Sequence, residues 1–429
     1  MRRSDTSDDR RMDLALGEDA EMTKIIETQC CVAGGGPAGL MLGFLLARAG
    51  VDVVVLEKHA DFLRDFRGDT IHPSTMQVMD EIGLLDAFLE LPHQRVPNIS
   101  AQFGDQRVQM ADFSRLPVRT PFIAMMPQWD FLNFIADHAK AYSNFRLLME
   151  TEATDLRRDG DRVIGVEGRD GEGEVRILAS LTVAADGRGS RLREAAALPL
   201  DEFGAPMDVL WFRLSRGTGD TDQTQGRFDR GRIFIMLNRG DYWQCAFVIP
   251  KGANATVRAA GLATFRDVLR PLLPISSSRA DEITNWDQVR LLVVQVNRLR
   301  KWWLTGFLFL GDAAHAMSPI GGVGVNLAVQ DAVAAANLLT GPLRDGSVHD
   351  RALASVQSRR EWPTRLTQRL QLVLQKRVIA AALAGTGTLK PPLAIRLIAA
   401  IPWFSRFPAR LMGLGFRPEH VAPDLRAPA

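Results

Sequence analysis

The chain has 429 residues, 46% of them hydrophobic and 24% charged, with a formal net charge of +2. That balance excludes a disordered, collagenous or disulfide-stapled chain, and so small a total charge argues against a dedicated nucleic-acid binder. The length exceeds one hydrophobic core, so two or more domains are expected.

The charge is unevenly placed. From Thr340 onward 14 Lys and Arg face 5 Asp and Glu, a balance of +9, which leaves −7 for the residues before it. No uncharged apolar run of roughly 18 residues occurs, and this predicts no membrane-spanning helix. Residues 1–22 are polar and charge-mixed, lack the apolar stretch of a signal peptide, and are expected to form a disordered leader. The three cysteines, Cys30, Cys31 and Cys245, form no CxxC pair. They suit a reducing, cytoplasmic setting and exclude dithiol chemistry or a cysteine zinc site, and no metal is expected. Cys30 and Cys31 lie in an apolar run and read as buried packing.

The first ordered unit is an apolar strand ending at Ala33, then Gly34-Gly35-Gly36-Pro37-Ala38-Gly39, then a helical stretch from Leu40 to Ala49. Gly50 closes it, and Val51–Glu57 reads as a buried strand. This is a βαβ unit with GxGxxG at Gly34, Gly36 and Gly39. The glycines permit a tight turn and close approach of a pyrophosphate to the helix N-terminus. Glu57 stands 18 residues past Gly39, where a carboxylate meets ribose hydroxyls, and Lys58 follows it. The unit predicts a dinucleotide site without separating FAD from NAD.

Two further clusters follow. One is Val183-Ala184-Ala185-Asp186-Gly187-Arg188-Gly189-Ser190-Arg191-Leu192-Arg193, after an apolar strand. The other is Gly306–Leu310 running into Gly311-Asp312-Ala313-Ala314-His315, then Pro319, Gly321, Gly322, Gly324, Val325 and Asn326, and an alanine-rich helix through Leu339. Such a strand delivers an aspartate to a glycine-rich loop whose N–H groups, with the helix dipole, face an anionic or electron-rich ligand.

Together the three motifs resemble the flavoprotein aromatic hydroxylases, the family of para-hydroxybenzoate hydroxylase, over most of residues 23–339. The matching forms are GxGxxG, DGxxSxxR at Asp186, Gly187, Ser190 and Arg193, and GDAAHxxxP from Gly311 to Pro319. The resemblance implies an α/β fold: a Rossmann-like FAD-binding domain (23–97, 123–198 and 290–340), an interleaved β-sheet substrate domain (98–122 and 199–289), and a helical C-terminal segment (341–429). It implies that Glu57 holds the adenosine ribose, that Arg67 approaches the flavin, that Gln128 contacts the flavin chain, and that Asp312 bonds the ribityl or pyrophosphate region. It sets Pro319, Gly321, Gly322 and the helix start through Asn326 against the flavin pyrimidine.

Family members use NAD(P)H and O2 without a second Rossmann domain, and hydroxylate or epoxidise through a flavin C4a-hydroperoxide. The expected function is therefore an FAD-dependent monooxygenase acting on an apolar aromatic or polyene-like small molecule. The alternative is a flavin-dependent reductase of an isoprenoid-type alkene, because Tyr242-Trp243-Gln244 faintly matches that group's motif; the WxWxIP motif of flavin halogenases is absent.

The substrate platform is expected on strands at Val209–Leu214, Ile233–Leu237 and Tyr242–Val248, whose two-residue period splits them into two faces. Trp211, Met236, Gln244 and Phe247 are the pocket candidates, each with core packing as the alternative. His72 is a candidate acid or base or, alternatively, a cap on the helix from Ser74. His315 is expected to support its loop. In the C-terminal segment a helix from Thr364 to Leu383 carries Arg365, Arg369, Lys376 and Arg377, and a shorter one spans Leu393–Ile401. Packing on the FAD domain, a lid, a homodimer surface and peripheral membrane contact at the inner face are the roles its arginine–aromatic interleaving allows.

Overall fold

The computed structural model describes residues 24–63, 69–221, 223–229, 231–385 and 406–426. The expected leader at 1–22, Arg67 and the helix expected at Leu393–Ile401 lie outside the described residues.

The first sheet has eight strands. Its main path runs Trp303–Leu304, Phe307–Phe309, Gly173–Ala184, β1 (Lys24–Ala33), β2 (Val53–Leu56), Phe145–Leu148. The four central pairings are parallel. A hairpin, Glu152–Asp159 with Arg162–Asp170, extends the sheet from Gly173–Ala184. Parallel central strands are covered on both faces, which is why β2 and the second part of β1, Cys30–Ala33, read as continuous apolar runs and not alternating ones. Cys30 and Cys31 are wholly buried in β1, and burial pushes the Cys31 thiol up to about 12. Helix α1 (Pro37–Arg48) crosses from β1 to β2 and packs with the long helix α2 (Gly324–Arg344) on one face. Residues 320–344 are long and apolar enough to cross a membrane by composition, but most of that stretch is buried inside the fold.

The second sheet has seven strands in the order Arg290–Leu292, β3 (Met207–Ser215), β5 (Tyr242–Pro250), β4 (Arg232–Asn238), Gln225–Asp229, Asn98–Phe103, Gln106–Asp112. The early insert thus joins the later strands, as expected. One boundary moves: Arg290–Leu292 pairs with β3, so the substrate domain continues through Leu292 instead of ending at 289. That edge strand is short and exposed, with no apolar period to announce it.

Register settles the two faces of this sheet. Trp211 opposes Ala246, and Ala246 opposes Ile235. Leu210 opposes Phe247, and Cys245 opposes Met236. The second set is buried beneath helix Leu262–Leu269 together with Phe212, Phe234 and Phe265. The first set, with Val209, Ile233 and Val248, packs with Ile320 of the glycine-rich loop and with Ile379, Ala382 and Leu383 of the C-terminal segment.

Helix α3 (Asp350–Leu374) continues through a π turn at Gln375–Ile379 into Ala380–Ala384. Its inner face is polar and buried, while Arg365, Arg369, Lys376 and Arg377 are solvated, with Trp362 and Val373 among them. A short helix, Arg406–Gly413, sits by the loop, with the Met412 side chain close to Gly321.

Candidate active site

The three sequence motifs converge at the carboxyl end of the parallel strands. Gly34 adopts φ +111°, and a Cβ there would lie 2.4 Å from the Ala185 carbonyl oxygen. A Cβ on Gly39 would lie 1.9 Å from the Gly34 oxygen. These two glycines are required by backbone contact. Gly36 differs: a Cβ on it meets nothing within 4 Å. It is the N-cap of α1, no side chain caps that end, and Pro37 occupies the first turn. The first N–H groups of α1, at Ala38 and Gly39, thus have no side-chain cap and lie beside the open space over Gly36 at the positive end of the helix dipole, a cradle for an anion.

Glu57 is buried and closes the loop: its Oε2 accepts from Gly35 N at 3.2 Å. Its Oε1 accepts from His59 N at 3.1 Å and meets His59 Nδ1 at 2.5 Å. Lys58, beyond the end of β2, instead pairs with Glu152, 3.9 Å away.

Gly311, at φ +59°, fits between Ala38 of α1 and Ala328 of α2, where a Cβ would lie 3.4 Å from each of their β-carbons. The aspartate after it is thereby delivered beside the cradle. Asp312 Oδ2 accepts from Arg188 Nε at 2.8 Å, tying the second motif to the third. Arg193 Nη1 donates to the Ala313 carbonyl at 3.0 Å. Asp186 folds back on its own turn, accepting from Leu192 N at 3.3 Å, and burial raises its pKa. Two buried atoms of this cluster, Arg188 Nη1 and Asp186 Oδ1, have no hydrogen-bond partner among the described residues. Buried polar atoms are nearly always satisfied, so a cation donor left open next to an anion cradle fits a pyrophosphate-bearing cofactor.

The Pro319–Gly324 loop carries two left-handed glycines, Gly321 at φ +81° and Gly322 at φ +63°. Gly322 O accepts from Thr70 Oγ1 at 2.9 Å. Gly324 and Val325 begin α2, whose N-terminus has no side-chain cap. Asn326 is turned inward: its Oδ1 accepts from Thr75 Oγ1 at 2.9 Å and from Ser74 Oγ. Gln128 is buried at the start of its helix and donates its N–H to Asp69 Oδ1 at 3.3 Å.

His72 occupies the N-cap position of helix Pro73–Glu81, but its side chain makes no capping bond, so the capping alternative fails. The ring is fully buried beside backbone groups of Gly322, Met412 and Gly321, and neither nitrogen has a partner among the described residues. Burial lowers its pKa to about 4, so the imidazole is neutral near pH 7. His315 is also buried, with Nε2 2.6 Å from Asp331 Oδ2. Asp331 also accepts from Gly311 N at 3.2 Å and from Arg360 Nε at 2.8 Å, and Arg360 reaches Glu419 at 3.2 Å. Burial pushes the Asp331 carboxyl up, yet His315 and Arg360 outweigh it and hold the pKa below the ordinary value.

Of the four pocket candidates, Trp211 and Gln244 lie on the sheet face turned to Ile320 and the loop. Met236 and Phe247 do not. Both are buried on the opposite face, in the core under Phe265, and this corrects their reading as pocket residues. Alternation decides it: a pocket residue on β5 must share parity with Ala246, and Phe247 is one residue out of step. Gln244 Oε1 accepts from Arg239 Nε at 2.7 Å, and Arg239 pairs with Asp69 at 2.9 Å, so a buried polar cluster bounds this face. Burial raises the Asp69 pKa against the pull of Arg239. The sequence reading missed Asp331, Arg360, Glu419, Asp69 and Arg239, whose partners lie in other elements.

The FAD binding domain family matches residues 27–370. The 6-methylpretetramide 4-monooxygenase of Streptomyces rimosus is 29% identical over 402 residues, covering 93% of this chain and 95% of that protein. The dialkyldecalin synthase of Streptomyces rugosporus is 27% identical over 70% of this chain, which spans 63% of that protein. Among solved structures, the OxyS anhydrotetracycline hydroxylase from Streptomyces rimosus superposes with a TM-score of 0.69 at 24% identity, covering 90% of this chain and 76% of that one. The last likeness establishes the shared fold.

Proposed function

The chain belongs to the FAD-binding-domain family and is an FAD-dependent monooxygenase, and from that premise we propose that it hydroxylates an extended, apolar aromatic molecule with NAD(P)H and O2 as co-substrates. One observation carries the substrate reading. Beside Ile320 one row of the second sheet is apolar across three neighbouring strands, Trp211, Ala246 and Ile235, with Trp211 and Ile235 partly exposed, while Val209, Val248 and Ile233 are packed in the core. Strands stand about 4.8 Å apart, so the wall is roughly 10 Å wide, the span of several fused rings and wider than one. The near full-length likeness to a 6-methylpretetramide monooxygenase supports the same class.

FAD, once reduced by NAD(P)H and exposed to O2, supplies an electrophilic oxygen atom. The residues of this chain bind, orient and shield. Gly36, Ala38 and Gly39 would offer N–H groups to the pyrophosphate, Arg188 would add a donor there, and Glu57 would hold the adenosine ribose. The helix dipole of α2 and the Gly321 N–H of the loop would favour negative charge on the flavin pyrimidine. Trp211, Ile235 and Ile320 present a dry surface that excludes water from the reacting ring. His72, neutral and buried beside the loop, can accept a hydrogen bond there without carrying a charge.

The test is a ring-size series. The purified protein is assayed with phenols of one to four fused rings, reading substrate-stimulated O2 uptake and hydroxylated product. Larger rings are expected to give the higher kcat/KM. A preference for single-ring phenols would overturn the substrate class, and NAD(P)H oxidation without O2 uptake would favour the alkene-reductase alternative.

A further inference from the structure

The inner face of α3 carries Gln368 and Gln371, and the π turn adds Gln375, at spacings of three and four residues that place them on one stripe. All three are buried. Gln368 Nε2 donates to the carbonyls of Asn297 at 2.8 Å and Ala316 at 3.1 Å. Gln371 Nε2 donates to both the Ser318 and Ile320 carbonyls at 3.0 Å, and its Oε1 accepts from Ser318 N at 3.2 Å. Gln375 Nε2 donates to Ser318 Oγ at 2.8 Å. The glutamines thus grip the backbone that leads from His315 into the glycine-rich loop.

The grip has a direction. A trans peptide is planar, with its C=O and the following N–H pointing opposite ways. Pinning the Ile320 carbonyl onto Gln371 therefore aims the Gly321 N–H away from α3. Gly321 and Gly322 are the residues that could most easily let these peptides rotate, since glycine tolerates both signs of φ. A carbonyl turned toward the flavin would replace a donor with an acceptor and repel the charge that reduction places on the pyrimidine edge.

We propose that Gln371 and, through Ser318 Oγ, Gln375 are positioning residues that set the polarity of the Ile320–Gly321 peptide, and through it the reduction potential of the bound flavin. This rests on the reading that the loop faces the flavin pyrimidine. The π turn at Gln375–Ile379 stands where the buried face of the helix changes over from the loop to Ile379 and the sheet. Wider turns of this kind recur at functional sites.

The experiment measures the midpoint potential of bound FAD and the FAD affinity of the apoprotein in Q371A, Q375A, Q357A and D312A. Gln357 lies on the same helix and holds Trp302 N at 3.0 Å and the Arg300 carbonyl at 2.9 Å, away from the loop. Q371A should keep FAD and shift its reduced-to-oxidised equilibrium at least tenfold toward oxidised, about 30 mV lower for two electrons. Q375A should move the same way by less, and Q357A should not move it, although both lower thermal stability. Wild-type potentials in Q371A and Q375A, with D312A losing FAD, would overturn the proposal alone. Full FAD affinity in D312A would overturn the flavin placement beneath it. If Q371A fails to hold FAD, the potential of Q375A decides: lowered supports the proposal, unchanged overturns it.

Discussion

Arg188 Nε lies 2.8 Å from Asp312 Oδ2, across 124 residues of sequence, and joins the DGxxSxxR motif to the GD motif beside the first glycine loop. Both side chains are partly exposed, so the pair itself is worth little stability. Its effect is to hold a guanidinium with one open, buried Nη1 next to the cradle of α1. D312A should therefore weaken FAD binding tenfold or more, about 1.4 kcal/mol, while thermal unfolding of the apoprotein stays close to wild type. Titration of apoprotein with FAD by flavin fluorescence quenching measures it.

The two faces of the second sheet make opposite predictions. W211A should raise KM for the aromatic substrate and uncouple O2 uptake from product, with little loss of stability. M236A empties a packed core and should cost about 2–5 kcal/mol of stability, with KM unchanged. Urea unfolding and steady-state kinetics on both variants read the contrast, and equal KM effects would contradict the assignment of faces.

His72 predicts a pH dependence of stability. Its pKa is about 4 in the fold, below the ordinary 6.5, so between those values the unfolded chain binds the extra proton. Stability from this group is full above pH 6.5 and is lost as pH falls toward 4, by at most about 3 kcal/mol. The H72N variant should flatten that part of the curve in denaturant midpoints measured from pH 7 to 4. A wild-type slope in H72N would show the histidine to be exposed or paired.

The buried chain His315–Asp331–Arg360–Glu419 ties the GD loop to the C-terminal tail. Replacing Arg360 by Met leaves Asp331 with His315 and Glu419 with Arg359, but removes the buried guanidinium that joins the two carboxylates. The expected loss is about 3–5 kcal/mol, since a broken buried ion network strands its charges. Differential scanning calorimetry would register it, and an R360M protein as stable as wild type would contradict the network's role.

The cofactor end of the molecule was legible in the sequence because its chemistry is local. Gly34 and Gly39 are forced by backbone approach, Gly311 and Gly322 by left-handed φ values of +59° and +63°, and a motif of fixed spacing records such constraints directly. The substrate end was half legible. The strands were visible from their apolar period, but which parity faces the flavin depends on what packs above, and Ile320 and Ile379 come from far along the chain. Phe247 and Met236 take the core-packing alternative for that reason. The glutamine stripe of α3 repeats at helical spacing, yet polar residues on that period ordinarily mark a solvated face, and only the loop beneath them makes it an inner one.

Oxygen transfer to an aromatic ring can be followed by isotope labelling. The FAD-loaded protein is given NAD(P)H, a fused-ring phenol and 18O2, and the product is weighed by mass spectrometry. A single labelled oxygen is expected in the hydroxylated ring, with NAD(P)H oxidation stimulated by the phenol. Product carrying only unlabelled oxygen, or no product despite bound FAD, would contradict it.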